Sequence, residues 1–83
     1  MVDVALYPNP VGRNTLTVTS KNKLCWFQLM NMAGEKIAEA ALSANEHEHR
    51  IDLPESLQGG IYFAGFTTVD SKIVFRKVIV IRN

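Results

Sequence analysis

The segment 72–82, near the end of the chain, is the feature that most constrains what this sequence can fold into. Its residues are mainly β-branched or aromatic, which are the types that fit a pleated, half-buried strand. Chain ends are usually polar and frayed unless the rest of the domain ties them down. The four consecutive apolar residues 78–81 therefore predict a strand that pairs with a sheet and needs cover on both faces.

Side chains alternate between the two faces of a strand, so this segment has two sets of residues that point in opposite directions. One set has four large apolar side chains, interrupted by Lys77, and we expect it to pack in the core. Its members are Ile73, Phe75, Ile79 and Ile81. The other set would be an apolar strip rimmed by arginines, larger than a solvent-facing strand usually carries. It contains Val74, Arg76, Val78, Val80 and Arg82.

The rest of the chain alternates in the same way between short interruptions. Gly, Pro or Asn recurs every 8 to 15 residues, a spacing typical of a sandwich or barrel of β-strands. We therefore predict an all-β fold in which seven antiparallel strands form two packed sheets. The predicted strands are residues 4–6, 15–19, 24–31, 36–42, 47–53, 61–68 and 72–82.

The same alternation predicts a core, with Ile37 as its most secure member on the fourth strand. The other expected inward side chains are Leu16, Val18, Phe27, Leu29, Ile51 and Leu53, with Leu57 plugging one end. Residues 31–35 have the composition of a hairpin turn in which Gly34 supplies a positive φ. Segment 34–48 is rich in Ala and Glu, which also favour a helix. Its apolar stripe is thin and follows a hairpin turn, so we predict a strand there.

Composition excludes several classes of function. The chain has 83 residues, enough for one domain, and its net charge of +1 argues against a nucleic-acid partner. No apolar run is long enough for a membrane-spanning helix, and none resembles a signal peptide.

We expect the chain to be a piece of a longer protein, because it begins abruptly with apolar residues after Met1. Cys25 is the only cysteine, which excludes an internal disulfide and a multi-cysteine zinc site.

The cluster from Glu46 to His49 is the one group that resembles a metal site. On a strand, His47 and His49 would share a face and could bind one ion. The sequence places no third ligand nearby, so we expect a solvated polar segment and no metal or other cofactor.

No nucleophile elbow, phosphate-binding loop or other catalytic signature is present, and we predict that the chain is not an enzyme. Asp52 and Glu55 lie in a tight loop, where turn bonding explains them. Tyr7, Trp26 and Tyr62 could form a platform that stacks on a sugar, although packing in the core or in turns is the more ordinary use of such residues.

Four motifs, in order along the chain, resemble the type A C-terminal sorting domains of the Bacteroidetes type IX (Por) secretion system. The first is Leu6-Tyr7-Pro8-Asn9-Pro10, and the second is the hairpin 29–37 around Gly34. The third, residues 57–63, includes Gly60 and Tyr62, and the last is the Lys-Val strand 75–80. The chain departs from the family where a lysine often follows the Lys-Val lysine by three residues, because Val80 stands there.

The resemblance implies a seven-stranded immunoglobulin-like β-sandwich, with residues 1–83 forming a single sorting domain behind an N-terminal cargo domain. It also implies that the domain is an address, which the outer-membrane translocon reads and a sortase-like peptidase then removes. The cargo would cross the periplasm and end at the cell surface, attached there to lipopolysaccharide, or outside the cell.

Three hypotheses for the function of the domain follow. The first is that the apolar strip docks on the secretion machinery, with recognition by Val74, Arg76, Lys77, Val78, Val80 and Arg82. A sheet edge can also accept or donate a strand, which offers a second means of contact. The second hypothesis is a passive fibronectin-like spacer or a carbohydrate-binding module. The third is weak self-association through the strip.

Overall fold

The structure, a computed structural model, describes residues 2–8, 12 and 14–82. This part of the chain contains seven strands and no helix. The all-β class and the number of strands are as predicted. The strands are β1 (Val4–Tyr7), β2 (Thr15–Ser20), β3 (Leu24–Met30), β4 (Lys36–Ala41), β5 (Glu48–Asp52), β6 (Gly60–Thr68) and β7 (Ile73–Val80). Asn9 and Pro10 of the first family motif lie outside the described residues.

The strands form two antiparallel sheets. The smaller sheet has the order β1-β2-β5, and the larger has the order β4-β3-β6-β7. In the smaller sheet, Leu16 of β2 lies opposite Ile51 of β5, so both side chains point to the same face. In the larger sheet, β3 and β6 are central, and β4 and β7 are the edge strands.

The core lies between the two sheets and is filled by the inward side chains of each. The Phe27 and Phe66 rings, on the two central strands of the larger sheet, lie 5.5 Å apart between centroids at an interplanar angle of 41°. This tilted geometry is one that aromatic pairs favour. The predicted inward positions are confirmed as buried for Leu16, Val18, Phe27, Leu29, Ile51, Leu53 and Leu57.

The turn between β3 and β4 has the chemistry that the sequence predicts. Gly34 has φ of 84°, and the Asn31 side-chain oxygen accepts from the backbone N–H groups of Ala33 and Glu35, both at 2.9 Å. Such a bond lets an asparagine close a turn with its own side chain. Residues 36–41 continue as a strand, so the helical alternative for this segment is wrong.

Ile37 is a correction to the predicted core, because its side chain is 40% exposed. The register of β3 and β4 shifts between Leu29 and Met30, which places Ile37 at an irregularity of the ladder. It lines an open cavity at the end of the sandwich, together with Leu57 and Tyr62. Strict alternation fails here because the register shift interrupts the two-residue period.

The β6–β7 turn is held together by Thr68. Its hydroxyl donates to a carboxylate oxygen of Asp70, and the backbone N–H of Lys72 donates to the Thr68 hydroxyl at 3.0 Å. The bond from Thr68 and the nearby Lys72 ammonium lower the pKa of Asp70 below its usual value. Ser71, between them, has φ of 68°, in the left-handed region that side chains with a Cβ disfavour.

Replacing Ser71 by Gly is expected to raise the free energy of unfolding by about 0.5–1 kcal/mol. Glycine adopts this conformation without the steric cost of a Cβ, which outweighs the entropy that a flexible unfolded chain gains. Urea denaturation of the wild type and of Ser71→Gly measures the difference. Ser71→Val, β-branched at the same site, should lower the stability; equal stability of all three would contradict a left-handed turn here.

Candidate recognition surface

The two faces of β7 have the opposite assignment from the one that the sequence suggested. Val78 is fully buried and Val80 is 3% exposed, and Val74 packs partly buried against the core. The large odd-numbered side chains Ile73, Phe75, Ile79 and Ile81 are 59%, 46%, 36% and 50% exposed. The expectation that the odd-numbered face is core is therefore wrong.

The register of the β6–β7 hairpin explains this reversal. Val74 lies opposite Phe66 and Val78 lies opposite Tyr62, and both aromatic side chains point into the core from β6. Directly opposed residues of an antiparallel pair share a face, so the valines must point inward as well. The inner side of β6 is already occupied by large rings, and the smaller valines fill the remaining space beside them.

The outer side of the larger sheet is consequently rich in apolar side chains. We define the outer apolar face as Trp26, Ile61, Phe63, Ile73, Phe75 and Ile79. These residues come from three neighbouring strands, β3, β6 and β7. Ile61 lies directly opposite Ile79, and Phe63 lies opposite Lys77, which gives the face one cation among its apolar groups.

Phe75 covers the backbone of the central strand at Gly65, which lies opposite it in the ladder. A Cβ added to Gly65 would lie 2.7 Å from Cε1 of Phe75 and 3.2 Å from Cγ of Gln28. Both distances are shorter than a carbon–carbon contact at optimal separation. The glycine therefore lets the Phe75 ring lie close against the sheet and keeps this part of the outer apolar face flat.

Three basic residues lie in or beside β7. Lys77 is on the outer side of the strand, opposite Phe63. Arg76 is on the inner side, opposite Ala64, and its guanidinium donates to the backbone carbonyl of Phe75 at 3.1 Å. Two ion pairs lie on this sheet and its turn: the Lys72 ammonium is 3.7 Å from a carboxylate oxygen of Asp70, and the Lys36 ammonium is 2.6 Å from one of Glu39.

The six residues predicted to recognise a partner separate into three groups. The side chains of Val74, Val78 and Val80 contribute to the core. Arg76 and Lys77 lie at the exposed edge strand, with Lys77 on the outer side. Arg82 closes one end of the sandwich: its Nε donates to the Leu57 carbonyl at 2.8 Å, and Nη2 donates to the Pro54 carbonyl at 3.5 Å.

Replacing Arg82 by Ala is expected to lower the free energy of unfolding by about 1–2 kcal/mol, because two hydrogen bonds from a charged donor are lost. Arg82→Lys should recover only part of this, since one ammonium does not reproduce the planar fork of the guanidinium. Chemical denaturation of the wild type, Arg82→Ala and Arg82→Lys measures the three free energies of unfolding. If Arg82→Ala is as stable as the wild type, the contact with residues 54–57 does not hold the terminus.

The other residues of the family motifs lie in loops and at strand ends of the sandwich. The Tyr62 hydroxyl donates to the Gln58 carbonyl at 2.7 Å, which closes the loop before β6, and Gly60 lies opposite Val80 at the start of that strand. The Tyr7–Pro8 peptide bond is cis. The hypothetical sugar platform does not assemble, because Tyr7 is exposed on the smaller sheet, Trp26 lies on the larger sheet and Tyr62 is buried.

His47 and His49 differ in burial. His47 is exposed, with Nδ1 2.9 Å from the Ser20 carbonyl, whereas His49 is buried and its Nε2 has no hydrogen-bond partner. Among the described residues, no group of three or more His, Cys, Asp or Glu side chains could hold a metal ion. No helix in the same part of the chain is long and apolar enough to cross a membrane.

Comparisons with known proteins assign the family. The model of the secretion system C-terminal sorting domain matches residues 5–81, which is nearly the whole chain. Among solved structures, CopC from Methylosinus trichosporium OB3b aligns with a TM-score of 0.56 and 17% identity, over 95% of this chain and 87% of that one. This similarity shows a shared fold. No curated protein sequence matches. The chain belongs to the family of secretion system C-terminal sorting domains, the sorting signals of type IX secretion.

Proposed function

We propose that this domain is the export signal of a cargo protein joined to its N-terminal side, and that the type IX outer-membrane translocon reads it. The observation that carries the proposal is the family match over residues 5–81. After export, a sortase-like peptidase removes the domain, and the cargo is attached to the cell surface or released. The domain itself performs no catalysis, as is general in its family.

The chemistry of the described residues supports an address rather than a reaction. A sorting signal needs a surface that a second protein can distinguish from the cargo. The outer apolar face is such a surface, because monomeric proteins rarely expose large contiguous apolar patches without a use for them. We further propose that residues 1–83 are one sorting domain of a larger secreted protein, which passes through the periplasm before it reaches the surface.

The alternatives predict different behaviour. A fibronectin-like spacer would need no exposed apolar face, since it contacts only its neighbours along the chain. The sugar platform predicted for a carbohydrate-binding module does not assemble, because Tyr7, Trp26 and Tyr62 lie in three different environments. The aromatic rings that do share a surface, Trp26, Phe63 and Phe75, lie on the outer apolar face, and a glycan array on the purified domain tests whether they bind sugars.

The position of the domain within a fusion protein tests the proposal. The domain is joined to the C-terminus of a secreted reporter or inserted between two reporter domains, and both fusions are expressed in a bacterium with a functional type IX system. We expect reporter in the medium or on the surface only for the C-terminal fusion. Equal export from both positions would contradict a sorting signal and favour a spacer.

Deletion of residues 78–83 would be a weaker test. It removes Val78 and Val80, which are buried in the core, so the shortened domain would lose its fold as well as its terminus. Moving the intact domain leaves the fold unchanged and alters only its position.

A further inference from the structure

We propose that Ser20 and Asn22 clamp the backbone of Asp3, and that this clamp fixes where the folded domain begins and which peptide bonds on its N-terminal side a peptidase can reach. The inference rests on the proposed function, in which a cargo precedes the domain and proteolysis separates the two. Ser20 and Asn22 would be positioning residues for that cleavage, because they hold the chain beside the bond that is cut and do not take part in cutting it.

The clamp lies just beyond the ladder that joins the first two strands. The pairing of β1 with β2 starts at Val4, which lies opposite Ser20, and continues to Tyr7, which lies opposite Thr17. Because β2 ends at Ser20, it offers Asp3 no strand residue to pair with. A residue in this position at the start of a domain is ordinarily among the first to fray.

Two side chains take the place of the missing strand. The backbone N–H of Asp3 donates to Oδ1 of Asn22 at 2.9 Å, and the Asp3 carbonyl accepts from the Ser20 hydroxyl at 2.8 Å. The Ser20 hydroxyl also accepts from the backbone N–H of Asn22 at 3.0 Å, which fixes the two clamp residues relative to each other. Both polar groups of the Asp3 backbone are thus bonded, as they would be inside a sheet.

Ser20 anchors the clamp in the sandwich. Its side chain is buried, and its backbone N–H donates to the His47 carbonyl at 2.9 Å. Its own carbonyl lies 2.9 Å from Nδ1 of His47, so Ser20 is tied to the segment that leads into β5. A residue that is already ordered loses little further conformational entropy when it bonds to Asp3. The chain at Asp3 is therefore held by the sheet itself.

Val2 extends this ordered segment by one more residue. Its side chain packs partly buried against the core, Val4 is buried in the core, and Asp3 between them is exposed. This alternation is that of a strand, although the β1 ladder itself begins only at Val4. Releasing the chain here would break the bonds to Asp3 and expose Val2 to water, so local opening is opposed at both residues.

The consequence concerns where cleavage can occur. A protease acts on a folded chain where it opens locally, so protection ends where the contacts of the chain end. By this criterion, the peptide bonds that follow Val2 belong to the folded domain, and the chain that precedes Val2 is open to a peptidase. We expect the domain to be removed with β1 and the clamp intact.

Hydrogen exchange of the Asp3 amide, measured by NMR on the purified chain, tests the clamp. We expect exchange in the wild type to be slower than that of a random-coil amide. Asn22→Ala removes the acceptor and should speed exchange by at least about five-fold, the effect of losing one hydrogen bond. Asn22→Asp keeps an acceptor oxygen and should restore most of the protection. Random-coil exchange in the wild type would overturn the proposal, whether or not Asn22→Ala folds.

Asn31→Ala is the matched control. Asn31 is a second asparagine whose Oδ1 accepts from backbone N–H groups, those of Ala33 and Glu35, but it lies in the β3–β4 turn. We expect its replacement to change exchange of the Asp3 amide by less than about two-fold, because the opening at Asp3 is local. Equal acceleration by Asn22→Ala and Asn31→Ala would mean that both act through the stability of the whole domain, and would overturn the clamp.

Limited proteolysis of a purified reporter–domain fusion locates the boundary. The fusion is treated with proteinase K, and mass spectrometry gives the first residue of the resistant fragment. We expect this fragment to begin at or before Val2 in the wild type and Asn31→Ala, and later in Asn22→Ala. A wild-type fragment that begins after Asp3, or the same first residue in wild type and Asn22→Ala, would overturn the proposal. Neither measurement uses a type IX host, so a failure of export would refute the proposed function without changing these results.

Discussion

Phe66→Ala is expected to lower the free energy of unfolding by about 3–5 kcal/mol, the usual cost of deleting a buried phenylalanine. The Phe66 side chain is fully buried on a central strand and packs against the Phe27 ring at 5.5 Å between centroids. Its removal takes away apolar contacts and leaves a cavity that two sheets cannot close by small shifts. A domain of this size has a total stability of about 4–12 kcal/mol, so the substitution should remove at least about a quarter of it and lower the urea midpoint accordingly.

Phe75→Ala is the matched control, because it makes the same chemical change one strand away. Phe75 is 46% exposed on the outer side of the sheet, so we expect a loss below about 1 kcal/mol. Urea denaturation followed by tryptophan fluorescence or circular dichroism compares the two variants. Equal losses would contradict the assignment of Phe66 to the core and Phe75 to the surface.

Val78→Asp is expected to prevent folding. Val78 is fully buried opposite Tyr62, and an aspartate there would have no cation to pair with among the apolar residues of the core. An unpaired buried carboxylate costs several kcal/mol, roughly as much as the whole stability of the domain. Dispersion of the amide signals in an NMR spectrum should collapse toward random-coil values.

Ile73→Asp serves as the control for this second substitution. Its side chain is 59% exposed, so the carboxylate remains in water and the spectrum should keep its dispersion. The two faces of β7 are thus tested with the same new residue. A folded Val78→Asp protein together with an unfolded Ile73→Asp protein would restore the assignment in which the odd-numbered side chains form the core.

Much of the fold could be predicted because local patterns determine it. The two-residue alternation of Leu16 and Val18, and of Phe27 and Leu29, identifies inward positions within single strands. The Asn31 and Gly34 turn chemistry identifies a hairpin without reference to distant residues. The four ordered motifs then indicate the family, which the match over residues 5–81 confirms.

The orientation of β7 could not be predicted from that strand alone, because both of its faces are apolar. Side-chain size pointed to Ile73 and Phe75 as the core, but the inner space beside β6 is limited by the rings of Tyr62 and Phe66. A usable signal did exist: the turn 69–72 sets the hairpin register, so the inward residues of β6 determine those of β7. The prediction that Ile37 is buried was wrong for a related reason, since a register shift between β3 and β4 is not visible in the sequence.

The contacts of Arg82 also could not be predicted from patterns in the sequence. Its guanidinium bonds to backbone carbonyls 25 and 28 residues away, and only the packing of the 54–58 loop against the end of β7 brings them together. An arginine near a chain terminus suggests a free charge for recognition. In this domain it stabilises the end of the sandwich.

The most direct test of the proposed sorting function compares export of one reporter in two hosts, which differ only in whether the type IX translocon is intact. The reporter carries the complete domain at its C-terminus, and its amounts in the medium, on the surface and in the periplasm are measured. We expect reporter in the medium or on the surface of the intact host and in the periplasm of the deficient host. Identical distribution in the two hosts would contradict the assignment of this domain as a signal for that translocon.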